Sequence, residues 1–172
     1  RFTGREDDVL LWERESLIVE DVDAEGRVLA IIIFDVEDRA AASDELAERS
    51  SRLHFPPALA DRLVEMNRAR RARDIPRLRA VFPDEFYFDD HRRTGFGRLE
   101  GPDAYMAALA ALFEQSPDVT VGEPLYTLAE ASYGSLAVGH TFGTLNDGGA
   151  FESVFLQMGL YGADGFRGAE LF

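Results

Sequence analysis

The chain has 172 residues, room for one well-cored domain with an appendage, and 46% of them are hydrophobic, as in globular proteins. A formal charge of −14 opposes binding to nucleic acid or to an anionic membrane surface. Cysteine is absent and all 18 basic residues are Arg, which excludes disulfides, thiolate nucleophiles, Cys-based metal sites and lysine Schiff-base chemistry. No apolar run, Val28 to Phe34 and Ala104 to Phe113 included, is long enough for a bilayer span, and no secretory signal is visible, so cytoplasm is the expected location. Because the chain opens at Arg1 rather than at Met, it is expected to be a piece of a longer protein.

Residues 8–20 read as a strand, with β-branched and aromatic residues in loose alternation. A turn at Asp23-Ala24-Glu25-Gly26 leads into a second strand over 28–36, with Gly26 free to supply a positive φ. The Ala-rich stretch 40–53 predicts a helix, which Pro56 and Pro57 end. Pro57 suits the first turn of the next helix, whose apolar face is Leu59, Leu63 and Met66. The arginines between Arg68 and Arg73 complement the dipole at its C-terminal end. A short helix over 74–81 and a strand over 84–91 follow. Gly101-Pro102-Asp103 then opens a helix that stops at Ser116-Pro117. Three long strands, 118–129, 134–145 and 150–161, and a last one at 166–172 complete the chain, with a hairpin signal at Asn146–Gly149.

The C-terminal stretch LYGADGFRGAELF echoes VEDVDAEGRVLAIIIF near the start. With one gap, Gly26 matches Gly165 and Phe34 matches Phe172. Residues 1–50 are therefore expected to be a partial earlier copy, a β-hairpin plus a helix, and residues 51–172 a full domain. Helix, short helix, strand, helix and then long antiparallel strands make the fold class α+β. The segment RDIPRLRAVFPDEFYFDD after the helix, then GRLEGPDAY, and a terminal hairpin carrying ADGF resemble the NTF2-like, or SnoaL-like, family over about residues 56–172. The stretch DDHRRTGFGRLEG is similar to tandem units of that family on large bacterial regulatory proteins. The resemblance implies a cone: a curved antiparallel sheet wrapped around three helices, with a pocket at its open end. The family's activities range over isomerases, cyclases, dehydratases, epoxide hydrolases and non-catalytic modules.

Within a strand, Phe86, Phe88 and Asp90 share one face while Tyr87, Asp89 and His91 share the other. Two aromatics leading to a carboxylate suit a proton-abstracting base, since apolar walls raise its pKa, and His91 is a candidate assistant. By resemblance to the ketosteroid isomerases, Asp90 falls near the catalytic base, Gln157 at the oxyanion-hole Asp, and Met66 at or near the oxyanion-hole Tyr. Gln157 can donate a hydrogen bond and Met66 cannot, which argues against that particular isomerisation. Asp89, Asp90 and Arg92 match an epoxide hydrolase by residue type only. His91 and His140 lie on separate strands without metal-ligand spacing, so no metal and no cofactor are expected.

Other readings compete for the same residues. Asp89 to Arg93 also reads as a solvated strand end whose charges pair among themselves. His140 alternates with Leu136, Val138 and Phe142, the pattern of a hydrogen-bonded core histidine. In the strand after Gly149, Val154, Leu156, Met158 and Leu160 form one apolar face and Phe151, Phe155 and Tyr161 the other. Both faces call for cover, so the outer one predicts a partner: a second subunit in a homodimer, or paired tandem copies. Three functions follow. First stands a binding module for a small apolar molecule, accessory to a larger regulatory protein, its pocket drawn from Met66, Phe86, Phe88, His140, Phe155 and Gln157. Next is an enzyme with Asp90 as base, which requires that Asp90 not be salt-bridged to Arg92 or Arg93. Last is a purely structural dimerisation domain.

Overall fold

The computed structural model describes residues 2–6, 9–162 and 165–172, and the chain divides into two compact units, 1–50 and 51–172. The N-terminal unit contains β1 (Phe2–Glu6), β2 (Val9–Arg14), β3 (Ser16–Val22) and β4 (Val28–Asp35). The strand expected over 8–20 is interrupted at Glu15, and its first part pairs with β1, which the sequence reading had not placed. β3 and β4 form the expected antiparallel hairpin. Its turn is closed by Asp23, whose carboxylate accepts from the Glu25 and Arg27 backbone N–H groups, and by Gly26 at φ +79°. A 3₁₀ turn, Val36–Asp38, leads into α1 (Arg39–His54). Arg49 on α1 is ion-paired to Asp21 of β3 and to Glu45 one turn earlier.

The C-terminal unit is built from α2 (Pro57–Arg71), α3 (Ile75–Arg79), β5 (Tyr87–Asp90), β6 (Gly97–Glu100), α4 (Pro102–Gln115), β7 (Thr120–Ala131), β8 (Gly134–Thr144), β9 (Ala150–Gly162) and β10 (Gly165–Leu171). Pro57 starts α2, whose missing N–H would have had no intrahelical partner. α2 stops where Arg73 adopts a left-handed φ of 54° and the Asp74 N–H returns to the Ala69 carbonyl. Asp74 then caps α3 by accepting from the Arg77 N–H, and Arg77 reaches back to Glu65, fastening α3 to α2.

The sheet order is β6-β5-β10-β9-β8-β7. It is a mixed sheet, not the wholly antiparallel one expected, because β10 runs parallel to β5, with Phe88 opposite Ala169 and Asp90 opposite Leu171. A parallel neighbour requires a long crossover, and α4 with β7–β9 supplies it. The short strand β6, missed in the sequence, pairs with β5 across the turn 91–96. The apolar faces of the helices meet the inner face of the sheet. Leu59, Leu63, Leu78, Phe82, Phe86, Phe88, Met106, Leu109, Phe155, Phe166 and Leu171 are all buried there. An aromatic cluster holds its centre, with Phe82 4.4 Å from Phe86 and 5.3 Å from Phe166, and Tyr105 stacked on Phe88 at 4.8 Å. On the opposite face of the sheet Tyr126, Phe142, Val154 and Leu156 are exposed. No described helix is long and apolar enough to cross a membrane.

Candidate functional site

Two polar places interrupt this apolar interior. The first is Asp90, at the end of β5. Strand alternation turns Phe88 and Asp90 inward, and Asp90 is only 3% exposed. The chain then folds back over the carboxylate. Arg92 Nε donates to Oδ1 at 2.8 Å and Nη2 to Oδ2 at 2.7 Å. The backbone N–H groups of Arg92 and Phe96 add bonds of 3.2 Å each. Arg92 is itself held, with its guanidinium 4.7 Å above the Phe155 ring and Nη1 donating to Ser153 Oγ at 2.8 Å. Gly95 closes the loop so tightly that a Cβ there would lie 2.2 Å from Asp90 Cγ.

Burial opposes ionisation of Asp90, but the Arg92 guanidinium and the two N–H groups outweigh it and hold the carboxyl below its ordinary value. A general base near neutrality needs the reverse shift and a free lone pair aimed at substrate. Asp90 has neither, so the expectation that it acts as the base is corrected: its ion pair with Arg92 is the arrangement that reading could not survive. The epoxide-hydrolase pattern also dissolves, because Asp89 pairs with Arg98 at 3.2 Å and does not share Arg92. His91, the suggested assistant, projects from the opposite face. It stacks on Phe172 at 4.7 Å, and its Nε2 is 3.3 Å from Glu170 Oε2, while Glu170 Oε1 accepts from the Tyr87 hydroxyl at 2.9 Å.

The second place is a cavity of about 80 Å³ between the helices and the sheet. α2 contributes Leu63, Met66 and Arg70, α4 contributes Tyr105, β8 contributes Ser135, and β9 contributes Gln157, Gly159 and Tyr161. Phe82, Phe86 and Phe166 supply apolar wall. Ser135 Oγ and Tyr161 Oη are hydrogen-bonded to each other at 2.8 Å beside Gly159, where an added Cβ would stand 3.2 Å from each oxygen. Arg70 is anchored by Nη1 to the Gly122 carbonyl at 3.3 Å and by Nη2 to Asn67 Oδ1 at 3.1 Å. Gly122, at φ +58° in a bulge of β7, leaves room for both Arg70 Nη1 and Gln157 Oε1. The Tyr105 hydroxyl and the Gln157 carboxamide have no hydrogen-bond partner among the described residues. Burial pushes the Tyr105 phenol up, against a smaller pull from Arg70. Burial also pushes the Tyr161 phenol up, so both remain neutral donors. No described side chain lining the cavity is a carboxylate or an imidazole.

Of the residues anticipated for a pocket, Met66, Phe86 and Gln157 line this cavity. Phe88 and Phe155 are buried in the adjoining core, and Tyr161, read as core or wall, is wall. His140 is corrected. Its register opposite Val154 puts it on the outer sheet face, stacked 4.6 Å from Phe142. Its Nε2 lies 2.9 Å from Glu152 Oε1 without hydrogen-bond geometry, so neither pocket lining nor a hydrogen-bonded core role applies. Arg70, Tyr105 and Ser135 were missed. Arg70 was hidden in an arginine run that reads as a helix end, and Tyr105 in an Ala-rich helix that reads as packing. No group of three or more His, Asp or Glu among the described residues could hold a metal ion.

A mixed sheet curled over three helices with a cavity between them defines an α+β cone. The fold is that of the NTF2-like proteins. An NTF2-like protein from Burkholderia xenovorans superposes with a TM-score of 0.55 at 17% identity, covering 67% of this chain and 88% of that one. A protein of ketosteroid isomerase-like fold from Catenulispora acidiphila, in complex with trimethylamine, gives 0.54 at 12%, covering 64% and 83%. TerC, co-crystallised with polyporic acid, gives 0.54 at 14%, covering 65% and 88%. No family model and no curated protein matches the sequence at a significant level.

Proposed function

We propose that the C-terminal unit is a small-molecule-binding module with no general base of its own, acting as a cytoplasmic accessory or regulatory part of a larger bacterial protein. The observation that carries this reading is the contrast inside the cavity. Two neutral hydrogen-bonding groups, Tyr105 and Gln157, have no partner among the described residues, and no described carboxylate or imidazole lines the cavity with them. Both side chains are half-buried with polar atoms facing the cavity, and a ligand oxygen that accepts from the phenol would use one of them. The cavity, at about 80 Å³, is smaller than the ~150 Å³ that accommodates benzene. The ligand is therefore a compact, mostly apolar molecule with one acceptor oxygen, or the end of a longer one. Two solved structures of the same fold carry small organic molecules, trimethylamine and polyporic acid.

Thermal unfolding in the presence of small aromatic and aliphatic ketones and acids tests the reading. A binder at a hundredfold excess over its Kd raises the Tm by roughly 5–10 °C. The shift disappears in Tyr105→Phe combined with Gln157→Leu. A shift that survives that double substitution refutes the site.

A separate observation supports a sheet-to-sheet homodimer: Tyr126, Phe142, Val154 and Leu156 are exposed on the outer sheet face. Light scattering with Val154→Asp plus Leu156→Asp tests this, since a mass that is monomeric before and after substitution removes it.

A further inference from the structure

We propose that residues 2–35 are the closing part of a second cone, with β1 equivalent to the end of β8, β2 and β3 together to β9, and β4 to β10, and that the bare face of β3–β4 seats that cone's helices. By chain order these helices lie on the N-terminal side of β1. The argument does not depend on the cavity or its ligand. Residues 2–26 align with 141–165 without a gap, bringing Gly4 onto Gly143, Glu13 onto Glu152, Leu17 onto Leu156 and Gly26 onto Gly165.

The backbone pairing repeats in the same register from Phe2 to Gly4, beyond which β1–β2 is bulged and β8–β9 is not. Gly4 faces Trp12 as Gly143 faces Phe151, and Phe2 faces Arg14 as Thr141 faces Ser153. Leu17 faces Phe34, and the equivalent Leu156 exchanges two backbone hydrogen bonds with Phe172, of 3.1 and 2.9 Å. Each hairpin is also bulged at the same place. Leu29 is the extra residue between Val28 and Ala30, and Arg167 the extra residue between Phe166 and Gly168. Two unrelated hairpins have no reason to share strand register and bulge position together, because each is set independently by turn length and facial pattern.

This equivalence identifies what is missing. In the C-terminal unit the inner face of the hairpin is sealed: Phe166 and Leu171 are each 6% exposed, under α2 and the aromatic cluster. The corresponding Val28 and Ile33 are 51% and 58% exposed, with Ile18 and Ile31 beside them. The hairpin also has no further strand on either edge among the described residues, whereas β9–β10 lies between β8 and β5. An isoleucine-rich face and two open edges are the surfaces a cone covers with its own helices and flanking strands. In the C-terminal unit those elements, residues 57–140, precede the part equivalent to 2–35, and the same order places the second set ahead of β1.

The test uses the native polypeptide that extends this chain on its N-terminal side, compared with the 172-residue chain by hydrogen exchange. The expected result is an upstream sequence with the helix–strand order of 57–140, and exchange at β3–β4 amides slowed about 100-fold or more relative to the shorter chain. Ile31→Lys with Ile33→Lys then abolishes that protection while leaving the melting of 57–172 unchanged. The proposal is overturned if the upstream sequence encodes another fold or is absent, or if β3–β4 exchanges equally fast in both polypeptides. It is also overturned if the 172-residue chain dimerises and the double substitution abolishes that dimer, since the face would then be taken by a second copy.

Discussion

Asp90 and the Tyr105–Gln157 pair are both polar groups drawn into the same apolar interior, and the fold treats them in opposite ways. Asp90 is charged and completely served, by two guanidinium bonds and two backbone N–H groups, and its neighbours are fixed in turn by Phe155 and Ser153. Tyr105 and Gln157 are neutral and left open to a cavity. The first arrangement is what a buried charge requires in order to exist, and it shapes the β5–β6 turn. The second leaves hydrogen-bonding capacity facing the cavity, which is what the proposed ligand would use.

The largest expected effect follows from removing the charge. Asp90→Ala leaves Arg92 part-buried without its carboxylate and strips an acceptor from two N–H groups. A loss of about 3 kcal/mol in urea unfolding is expected, toward the low end for a broken buried pair because Arg92 is partly solvated. A variant that unfolds like the wild type would remove the structural role assigned to Asp90. Gly95→Ala comes next. Its Cβ meets the Asp90 carboxyl group at well under contact distance, so the loop must shift, at a cost of about 1–3 kcal/mol in the same measurement.

Acid unfolding separates the charge from its shape. Burial works against ionisation of Asp90, and its hydrogen bonds from Arg92 and Phe96 prevail, so its folded-state pKa lies below the ordinary 3.8. A group depressed on folding contributes stability that is fully present above the unfolded-state value. That contribution is lost as pH falls through the lower folded-state one. Asp90→Asn should flatten the stability profile in that window and leave its shape above pH 5 unchanged. An acid limb of unchanged slope would mean that other carboxylates dominate it.

The smallest effect on folding is expected in the cavity. Tyr105→Phe and Gln157→Leu remove groups that bond to no described residue, so each should change stability by no more than about 0.5 kcal/mol or improve it slightly. The same substitutions should weaken ligand binding about tenfold or more, measured by calorimetry on any compound found by thermal shift. A large loss of stability in either variant would make the pair structural and erase the contrast with Asp90.

Much of the architecture was legible along the chain because its signals are local. Prolines 56 and 57 start α2, Gly101 opens α4, and the Asn146–Gly149 turn joins β8 to β9. Alternation placed Phe86, Phe88 and Asp90 on the buried face and Tyr87, Asp89 and His91 on the other, as the structure has them. The same alternation gave no direction for β8, where His140 with its apolar neighbours fits either face. Only its register opposite Val154 turned it outward.

The sequence by itself thus determined which residues of a strand share a face, where most elements begin and end, and that the fold class is α+β, while the cone was implied by the family resemblance. Periodicity carries the first of these because it depends on the backbone repeat alone. Tertiary structure decided the partners. It ran β10 parallel to β5, folded Arg92 onto Asp90 and Ser153, and brought Tyr105 from α4 to the same cavity as Gln157 from β9. Those contacts join segments tens of residues apart, or depend on which way a turn closes. Carboxylate, phenol and amide look the same in sequence whether they end up satisfied or left open, and only the packing around them distinguishes a structural ion pair from a binding site.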